Sequence, residues 1–237
     1  MIRLNKFLAR HGLGSRRLCD KIISQGEIII NNQIIVDYSY KVTRKDIVEY
    51  KGSILSHRFK RVVYIVNKPK GYISTSFDED RDRKKVIDII KTDKKLFTIG
   101  RLDKDTTGLI LITNDGDLCY QLTHPKFAIK REYLVKTNCI IPIEKINHFK
   151  KGIRLNANYF VKGIISKYYS RGKYTYYKIT LFEGKNREIR RVFDFFKAPV
   201  HELIRVSFAG IKLGNLEQGR FKKLSDVEIK NYFSEFI

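Results

Sequence analysis

One stretch of the sequence places charged and hydroxyl side chains directly before an apolar run: residues 100–118 read GRLDKDTTGLILITNDGDL. Carboxylates that lie so close to a run of Leu and Ile must be solvated, bind a metal ion, or be held in place for chemistry. Arg101, two residues before Asp103, could pair with a catalytic carboxylate. A second supply of cations lies downstream, in EGKNREIRR at residues 183–191.

The spacing of oxygen ligands in this stretch tests the metal hypothesis. Residues at positions 1, 3, 5, 6 and 8 fit a calcium-binding EF-hand loop: Asp103, Asp105, Thr107, Gly108 and Ile110. Position 12 would be Asn114, where such a loop needs a bidentate Glu, and the residues after Gly108 are typical of a strand. Calcium is therefore disfavoured. A solvated turn capped by Asp and Thr and a catalytic carboxylate both stay open on these residues alone.

The elements that must position this loop fall into two groups. RLNKFLARHG and SRRLCDKIISQG predict two helices, the second capped by Ser15, with Leu18, Ile22 and Ile23 facing inward. EIII, NNQ and IIV predict a hairpin, and VTRKDIVEYKG another strand. We therefore predict a small N-terminal α/β domain over residues 1–55, a polar linker over 56–61 and a second domain over 62–237.

The second domain reads mainly as strands. Strand-like runs include RVVYIVNKPKG, LFTIG, GLILIT, REYLVKT, YTYYKITLFE and ELIRVSFAGIKLG. Helical spacing occurs in DGDLCYQLTHP and NREIRRVFDFFKAP, and KKVIDIIK predicts a short amphipathic helix. Many strands with few helices predict an α+β domain built on a largely antiparallel sheet.

Composition narrows the class of protein. The 237 residues are 43% hydrophobic and 12% aromatic, which predicts a packed core. The net charge of +23 favours polyanionic partners, and residues 1–60, with twelve Lys or Arg and five Asp or Glu, hold only part of it. Three cysteines far apart predict neither a disulfide framework nor a zinc site. Because no signal peptide and no run of roughly 18 apolar residues is found, we expect a cytoplasmic protein with no membrane partner.

Four stretches in order resemble the RsuA/RluB family of ribosomal RNA pseudouridine synthases: NKPKG, GRLDKDTTGLILITNDG, KREYLV and EGKNREIRR. The first 50 residues, from RLNKFLARHGLGSRR through INNQII, resemble the S4-type RNA-binding domain that precedes the catalytic domain in that family. The resemblance covers nearly the whole chain. It implies an enzyme that isomerises uridine to pseudouridine with no metal, nucleotide or redox cofactor.

The resemblance also implies catalytic roles. Asp103 matches the family's catalytic carboxylate, which attacks covalently or stabilises and deprotonates the sugar. Tyr133 of KREYLV matches the active-site tyrosine, although the residues alone favour a core position for a strand tyrosine. Arg190 matches the basic residue that pairs with the carboxylate. Arg101 is expected to help flip the target nucleotide out of its stack, and Leu203 or Ile204 to form the apolar wall under the uracil.

RNA contacts are expected from clustered cations, since RNA helices are met mainly through phosphates and shape. For most of these residues a solvated surface position is an equally good reading. The candidates are Arg3, Lys6, Arg16, Arg17 and Lys21 in the N-terminal domain, and Lys68, Lys70, Arg187 and Arg191 in the second.

The expected function is thus site-specific pseudouridine formation in ribosomal RNA, free or in a pre-ribosomal particle, by a monomer. EGKNREIRR followed by ELIRVSFAGIKLG is closer to the large-subunit members of the family, which favours 23S rRNA. A 16S rRNA target stays open, as does a non-catalytic RNA-binding factor in ribosome assembly. A metal-dependent phosphotransferase or nuclease lacks a convincing carboxylate cluster.

Overall fold

A computed structural model describes residues 1–75, 82–157 and 159–236. The chain divides into two compact units: Met1–Arg61 with Thr92–Lys95, and Val62–Lys91 with Leu96–Ile237. The first unit contains helices α1 (Leu4–Arg10) and α2 (Arg16–Ser24) and strands β1 (Ile2–Arg3), β2 (Ile28–Ile30), β3 (Gln33–Ile34), β4 (Lys41–Val42), β5 (Val48–Tyr50) and β6 (Ser53–Leu55). No helix among the described residues is both long and apolar enough to span a membrane.

The first unit packs its two helices on a small core beside a sheet of order β3-β2-β5-β6. The Ser15 side chain caps α2 as predicted, because its Oγ accepts a hydrogen bond from Leu18 N at 3.2 Å. The inward-facing position predicted for Leu18 was wrong: this side chain is 47% exposed, whereas Cys19 is buried with Ile22 and Ile23. A helix turns by about 100° per residue, so the neighbouring Cys19 takes the core position.

The second unit is built on strands with helices at intervals. Its strands are β7 (Val63–Lys68), β8 (Phe97–Ile99), β9 (Thr107–Thr113), β10 (Arg131–Thr137), β11 (Ile153–Asn156), β12 (Tyr159–Val161), β13 (Ile164–Arg171), β14 (Tyr174–Leu181), β15 (Glu202–Phe208), β16 (Ile211–Lys212) and β17 (Phe221–Lys223). Its helices are α3 (Gly116–Thr123), α4 (Ile143–Lys151), α5 (Glu188–Phe195) and α6 (Asp226–Phe233), with 3-10 turns at Val86–Ile89, Pro125–Phe127 and Ser234–Phe236.

The main sheet has the order β13-β14-β10-β15-β9-β7-β17, with β8 on β9 and β16 on β15. Of its described ladders, only β9 with β15 is parallel, so the α+β prediction with a largely antiparallel sheet is confirmed. Strands β7 and β9 are covered on both faces: Val66 and Ile110 belong to one apolar cluster, Ile65 and Leu111 to the other. Burial on both faces explains the continuous apolar runs in the sequence.

The helix predicted from KKVIDIIK is a single 3-10 turn, Val86–Ile89. Val86 and Ile90 are buried in the core of the second unit. Four of its residues, Val86, Ile87, Ile89 and Ile90, are β-branched, which lowers the propensity of the segment for an α-helix.

The parallel contact between β9 and β15 brings two main chains very close. Gly108 lies opposite Arg205 and has a φ of +99°. A Cβ at Gly108 would collide with the main-chain oxygen and nitrogen of Arg205. The bare backbone of Gly108 therefore lets the loop around Asp103 approach β15, which carries other residues of the candidate site.

Candidate active site

Hydrogen bonds to the main chain fix the loop that carries Asp103. The Ser74 Oγ donates to Leu102 O at 3.0 Å and accepts from Leu102 N at 3.1 Å. Within the loop, Thr106 N donates to Asp103 O at 3.0 Å, and Gly71 N from the turn after β7 donates to Lys104 O at 2.9 Å. The position of Asp103 thus depends on the turn that follows β7.

Lys68, at the end of β7, holds the same loop through hydrogen bonds to its carbonyl oxygens. Its ammonium is fully buried and donates to the carbonyl oxygens of Pro69 at 3.2 Å, Lys104 at 3.1 Å and Thr106 at 2.8 Å. Burial lowers the pKa of Lys68 to about 8, against the opposite effect of nearby carboxylates. The predicted phosphate contact of Lys68 was therefore wrong, because a buried ammonium cannot reach RNA, whereas Lys70 is exposed.

Asp103 opens into a cavity of about 380 Å³. This Asp103 cavity is lined by Gly100, Arg101, Leu102, Asp103, Thr106, Thr123, Arg131, Tyr133, Leu181, Gly184, Lys185, Asn186, Arg187, Glu188, Ile189, Arg190, Leu203 and Arg205. It brings together most of the predicted catalytic and substrate-binding residues from four distant stretches of the chain. Within the ranges that the structure describes, no three His, Cys, Asp or Glu side chains gather as metal ligands would.

The cation that meets Asp103 is Arg187. Arg187 Nη1 lies 3.9 Å from Asp103 Oδ2, and the two side chains are 53% and 36% exposed. Arg190, which the family resemblance paired with Asp103, lines the cavity but donates from Nη1 to Val200 O at 3.4 Å. The expected Arg190 contact is therefore replaced by an Arg187 contact, because Arg187 lies at the start of α5, beside the cavity mouth.

A strained backbone places the Arg187 side chain. Arg187 has a φ of +50°, a left-handed conformation that is costly for a side chain of this size. Its neighbours compensate: Lys185 N donates to Glu188 Oε2 at 2.9 Å, and Tyr159 Oη donates to Asn186 O at 3.2 Å. Burial raises the pKa of the Glu188 carboxyl. Strain that the surroundings maintain is frequent at functional sites.

The alternation of side chains along β10 and β15 decides which apolar residues face the cavity. Tyr133 on β10 and Leu203 on β15 are buried and line it. Ile204 lies on the opposite face of β15, so the predicted alternative of Ile204 as the uracil wall was wrong. Only one of two adjacent strand residues can face the cavity, and here it is Leu203.

Two buried arginines at the cavity floor were missed by the sequence reading. Arg131 and Arg205 are 8% and 1% exposed, and both guanidiniums lie over the Phe208 ring, at 5.4 and 4.8 Å. Arg205 Nε donates to Leu109 O at 2.6 Å, and burial lowers the pKa of Arg131. Each lies two residues from a predicted site residue, so strand alternation from Tyr133 and Leu203 could have found them.

Comparisons with known proteins match both parts of the chain to families. Residues 62–195 match the family described as RNA pseudouridylate synthase, and residues 2–48 match the S4 domain. The chain belongs to the RNA pseudouridylate synthase family. The matched region contains Asp103, Tyr133 and the arginines of α5, and the RsuA/RluB resemblance is confirmed.

Relatives of this RNA pseudouridylate synthase cover almost its full length. Ribosomal large subunit pseudouridine synthase B of Bacillus subtilis (strain 168) is 34% identical over 233 residues, 97% of this chain and 95% of that protein. Dual-specificity RNA pseudouridine synthase RluF of Escherichia coli (strain K12) is 32% identical over 234 residues, 98% of this chain and 78% of that protein. A crystal structure of a pseudouridylate synthase, 25% identical, covers 98% of this chain and 100% of its own with a TM-score of 0.68.

The remaining predicted RNA contacts of this pseudouridylate synthase are mostly at the surface. Exposed side chains among them are Arg3, Arg16, Arg17, Lys21, Lys70 and Arg191, and Lys6 is half-buried; Arg101, predicted to bind the substrate, is exposed as well. The Arg191 guanidinium lies 4.9 Å from the Tyr159 ring centroid, a cation–π contact. Their exposure is compatible with phosphate contacts, which stay predictions.

Exchanging the α5 arginines separates their roles. We expect Arg187→Gln to lower turnover by about 30- to 100-fold, because it removes the guanidinium beside Asp103, and Arg190→Gln to lower it less. Arg187→Gly should lose activity equally while unfolding at the same or higher urea concentration, since glycine relieves the left-handed strain. Lys230→Gln, at an exposed cation outside the Asp103 cavity and the predicted RNA contacts, is the control. If Arg190→Gln were inactive while Arg187→Gln stayed active, Arg190 would be the partner of Asp103, as the family resemblance implied.

Proposed function

We propose that this enzyme converts a uridine of 23S ribosomal RNA to pseudouridine, with Asp103 as the catalytic carboxylate. The observation that carries the proposal is Asp103 held by main-chain bonds at a cavity walled by Tyr133 and Leu203, with Arg187 beside it. A cavity of about 380 Å³ accommodates one flipped nucleoside.

The chemistry needs no external reagent. The bond from uracil N1 to the ribose C1′ breaks, a bond from C5 to C1′ forms, C5 loses a proton and N1 gains one. An ionised carboxylate can attack or stabilise the sugar during this exchange, and Tyr133 lies on the cavity wall where it can stack on the base or accept the C5 proton. Leu203 supplies the apolar surface under the ring, and Arg101 lies at the mouth, where a flipped nucleotide enters.

Each domain has its own role in this proposal. The S4 domain, residues 1–55, binds RNA through exposed cations, and residues 56–61 form the linker. Residues 62–237 carry out the chemistry; the family matches cover residues 2–48 and 62–195 of these ranges. The 23S target is supported by the relative named ribosomal large subunit pseudouridine synthase B, and 16S rRNA is the alternative. The protein acts as a monomer in the cytoplasm, on free or partly assembled rRNA.

Pseudouridine mapping tests the proposal directly. Ribosomal RNA from cells with and without this gene is labelled with carbodiimide and read by primer extension. We expect one stop to disappear from 23S rRNA in the deletion strain and to return with the wild-type gene. A stop lost from 16S rRNA would show that the enzyme forms pseudouridine in 16S rRNA instead of 23S rRNA. Unchanged stops in both rRNAs would overturn the proposed function.

A further inference from the structure

A second concavity lies beside the Asp103 cavity. It is formed by α4, the turn into β11, β12 and the end of α5, and its volume is about 530 Å³. We call it the flanking groove, lined by Glu144, Lys145, His148, Gly152, Ile153, Arg154, Phe160, Phe195 and Phe196. The catalytic roles assigned above use none of these residues.

Two aromatic rings are exposed in the flanking groove and held in place. Phe160 and Phe195 are 47% and 52% exposed. The Phe160 ring lies directly on Gly152, where a Cβ would collide with it. The Phe195 ring meets the buried Phe196 edge to face, with centroids 5.8 Å apart. Rigid, exposed aromatic faces are the platforms on which proteins stack single-stranded bases.

Cations outnumber carboxylates around the flanking groove. Residues 144–183 contain nine Lys or Arg and two acidic residues, Glu144 and Glu183, although the chain average of 25 acidic residues in 237 would place about four there. Lys145, His148 and Arg154 from this segment are exposed and line the groove, and Glu144 is the acidic residue at its edge. Aromatic faces beside exposed positive charge favour a polyanion with planar groups over a protein partner.

One hydrogen bond joins the flanking groove to the catalytic site. Lys185 lines the Asp103 cavity, and its Nζ donates to Phe160 O at 2.8 Å. Tyr159, next to Phe160, donates to Asn186 O in the loop that carries Arg187. A residue that lines the Asp103 cavity is thus hydrogen-bonded directly to a residue that lines the flanking groove, so the groove adjoins the cavity on its Lys185 side.

We propose that the flanking groove binds single-stranded nucleotides adjacent to the target uridine. Their bases stack on Phe160 and Phe195, and their phosphates contact Lys145 and Arg154. This inference rests on the proposed function and adds a subsite to it. The groove contacts hold the strand open beside the flipped nucleotide, which supports the unstacking that flipping requires.

Filter binding of in vitro transcribed 23S rRNA tests the flanking groove. We expect Phe160→Ala and Phe195→Ala each to raise Kd about 5- to 10-fold, the loss typical of one stacked base. Arg154→Gln should raise Kd about 3-fold and reduce the slope of log Kd against log salt by about one. Matched controls in the same domain are Tyr232→Ala, whose ring is 42% exposed, and Lys230→Gln, also exposed, and both should stay within about twofold.

Photo-crosslinking locates the contact. With 4-thiouridine in the transcript, a crosslink from a nucleotide near the modified uridine to residues 145–160 or 195 supports the subsite. Groove variants that bind as tightly as the controls, or crosslinks from this surface to ribosomal protein in particles but never to RNA, would overturn it. Wild-type pseudouridine formation is measured in parallel: its absence would count against the proposed function, while the Kd comparison would still decide the groove.

Discussion

The Asp103→Asn variant is expected to form pseudouridine at least about a thousandfold more slowly than wild type, while its affinity for rRNA stays within about tenfold. Asn keeps the shape and the hydrogen bonds of the loop but cannot act as a nucleophile or base. Binding rests on phosphate contacts elsewhere and should persist. The measurement is tritium release from rRNA labelled at uridine C5, because the C5 proton leaves when the new bond forms.

Asp105→Asn provides the control for this prediction. Asp105 is exposed, lies two residues away and is absent from the lining of the Asp103 cavity. It should retain turnover within about threefold of wild type. If Asp103→Asn lost rRNA affinity in the same proportion as turnover, the carboxylate would be a binding group and the catalytic role would be lost.

Replacing the buried Lys68 with Met should lower turnover by about 100-fold, although this side chain lies away from the substrate. The substitution removes the hydrogen bonds that the ammonium donates to the carbonyls of Pro69, Lys104 and Thr106, so the loop no longer holds Asp103 in one position. Turnover measured with saturating rRNA reports this loss, and rRNA affinity should stay near that of wild type. Lys104→Met, which removes an exposed side chain from the same loop and keeps its carbonyl contact, is the control.

The pH dependence of stability gives an independent check on Lys68. Its ordinary pKa is 10.5 and its pKa in the folded protein is about 8, so between these values the unfolded chain holds more protons. Raising the pH through this window therefore favours the folded state. In urea unfolding, the stability of wild type relative to Lys68→Met should rise by about 2 kcal/mol between about pH 8 and 9.5. A difference independent of pH would show that the ammonium keeps an ordinary pKa.

Much of the fold could be predicted because apolar runs and caps are local signals. GLILIT gives β9, and Ser15 caps α2, since both depend on side chains near in sequence. The loop of Asp103 was also located correctly at the start of β9, in front of its apolar run. The family resemblance added Tyr133, whose burial alone would have marked it as core.

The predictions that were wrong, and the site residues that were missed, depend on contacts between residues far apart in the sequence. The Lys68 ammonium is enclosed by the carbonyls of Lys104 and Thr106, a contact between distant residues that no short window of sequence reveals. The choice of Arg187 over Arg190 depends on a left-handed backbone at a residue that is not glycine, held by Tyr159 from a distant strand. Arg205 is buried because β15 pairs with both β9 and β10.

The loop around Asp103 is held by its main chain, while the side chains of Lys104 and Asp105 are exposed. Substitutions of Lys104 leave the carbonyl contacts intact and cost little stability, within about 0.5 kcal/mol, whereas Asp105 also favours the charged form of the buried Lys68. The charge of the loop beside the pocket can therefore change at Lys104 during evolution without moving the carboxylate. Descendants of such an enzyme could adapt to new RNA neighbours at this edge while inheriting the same chemistry unchanged.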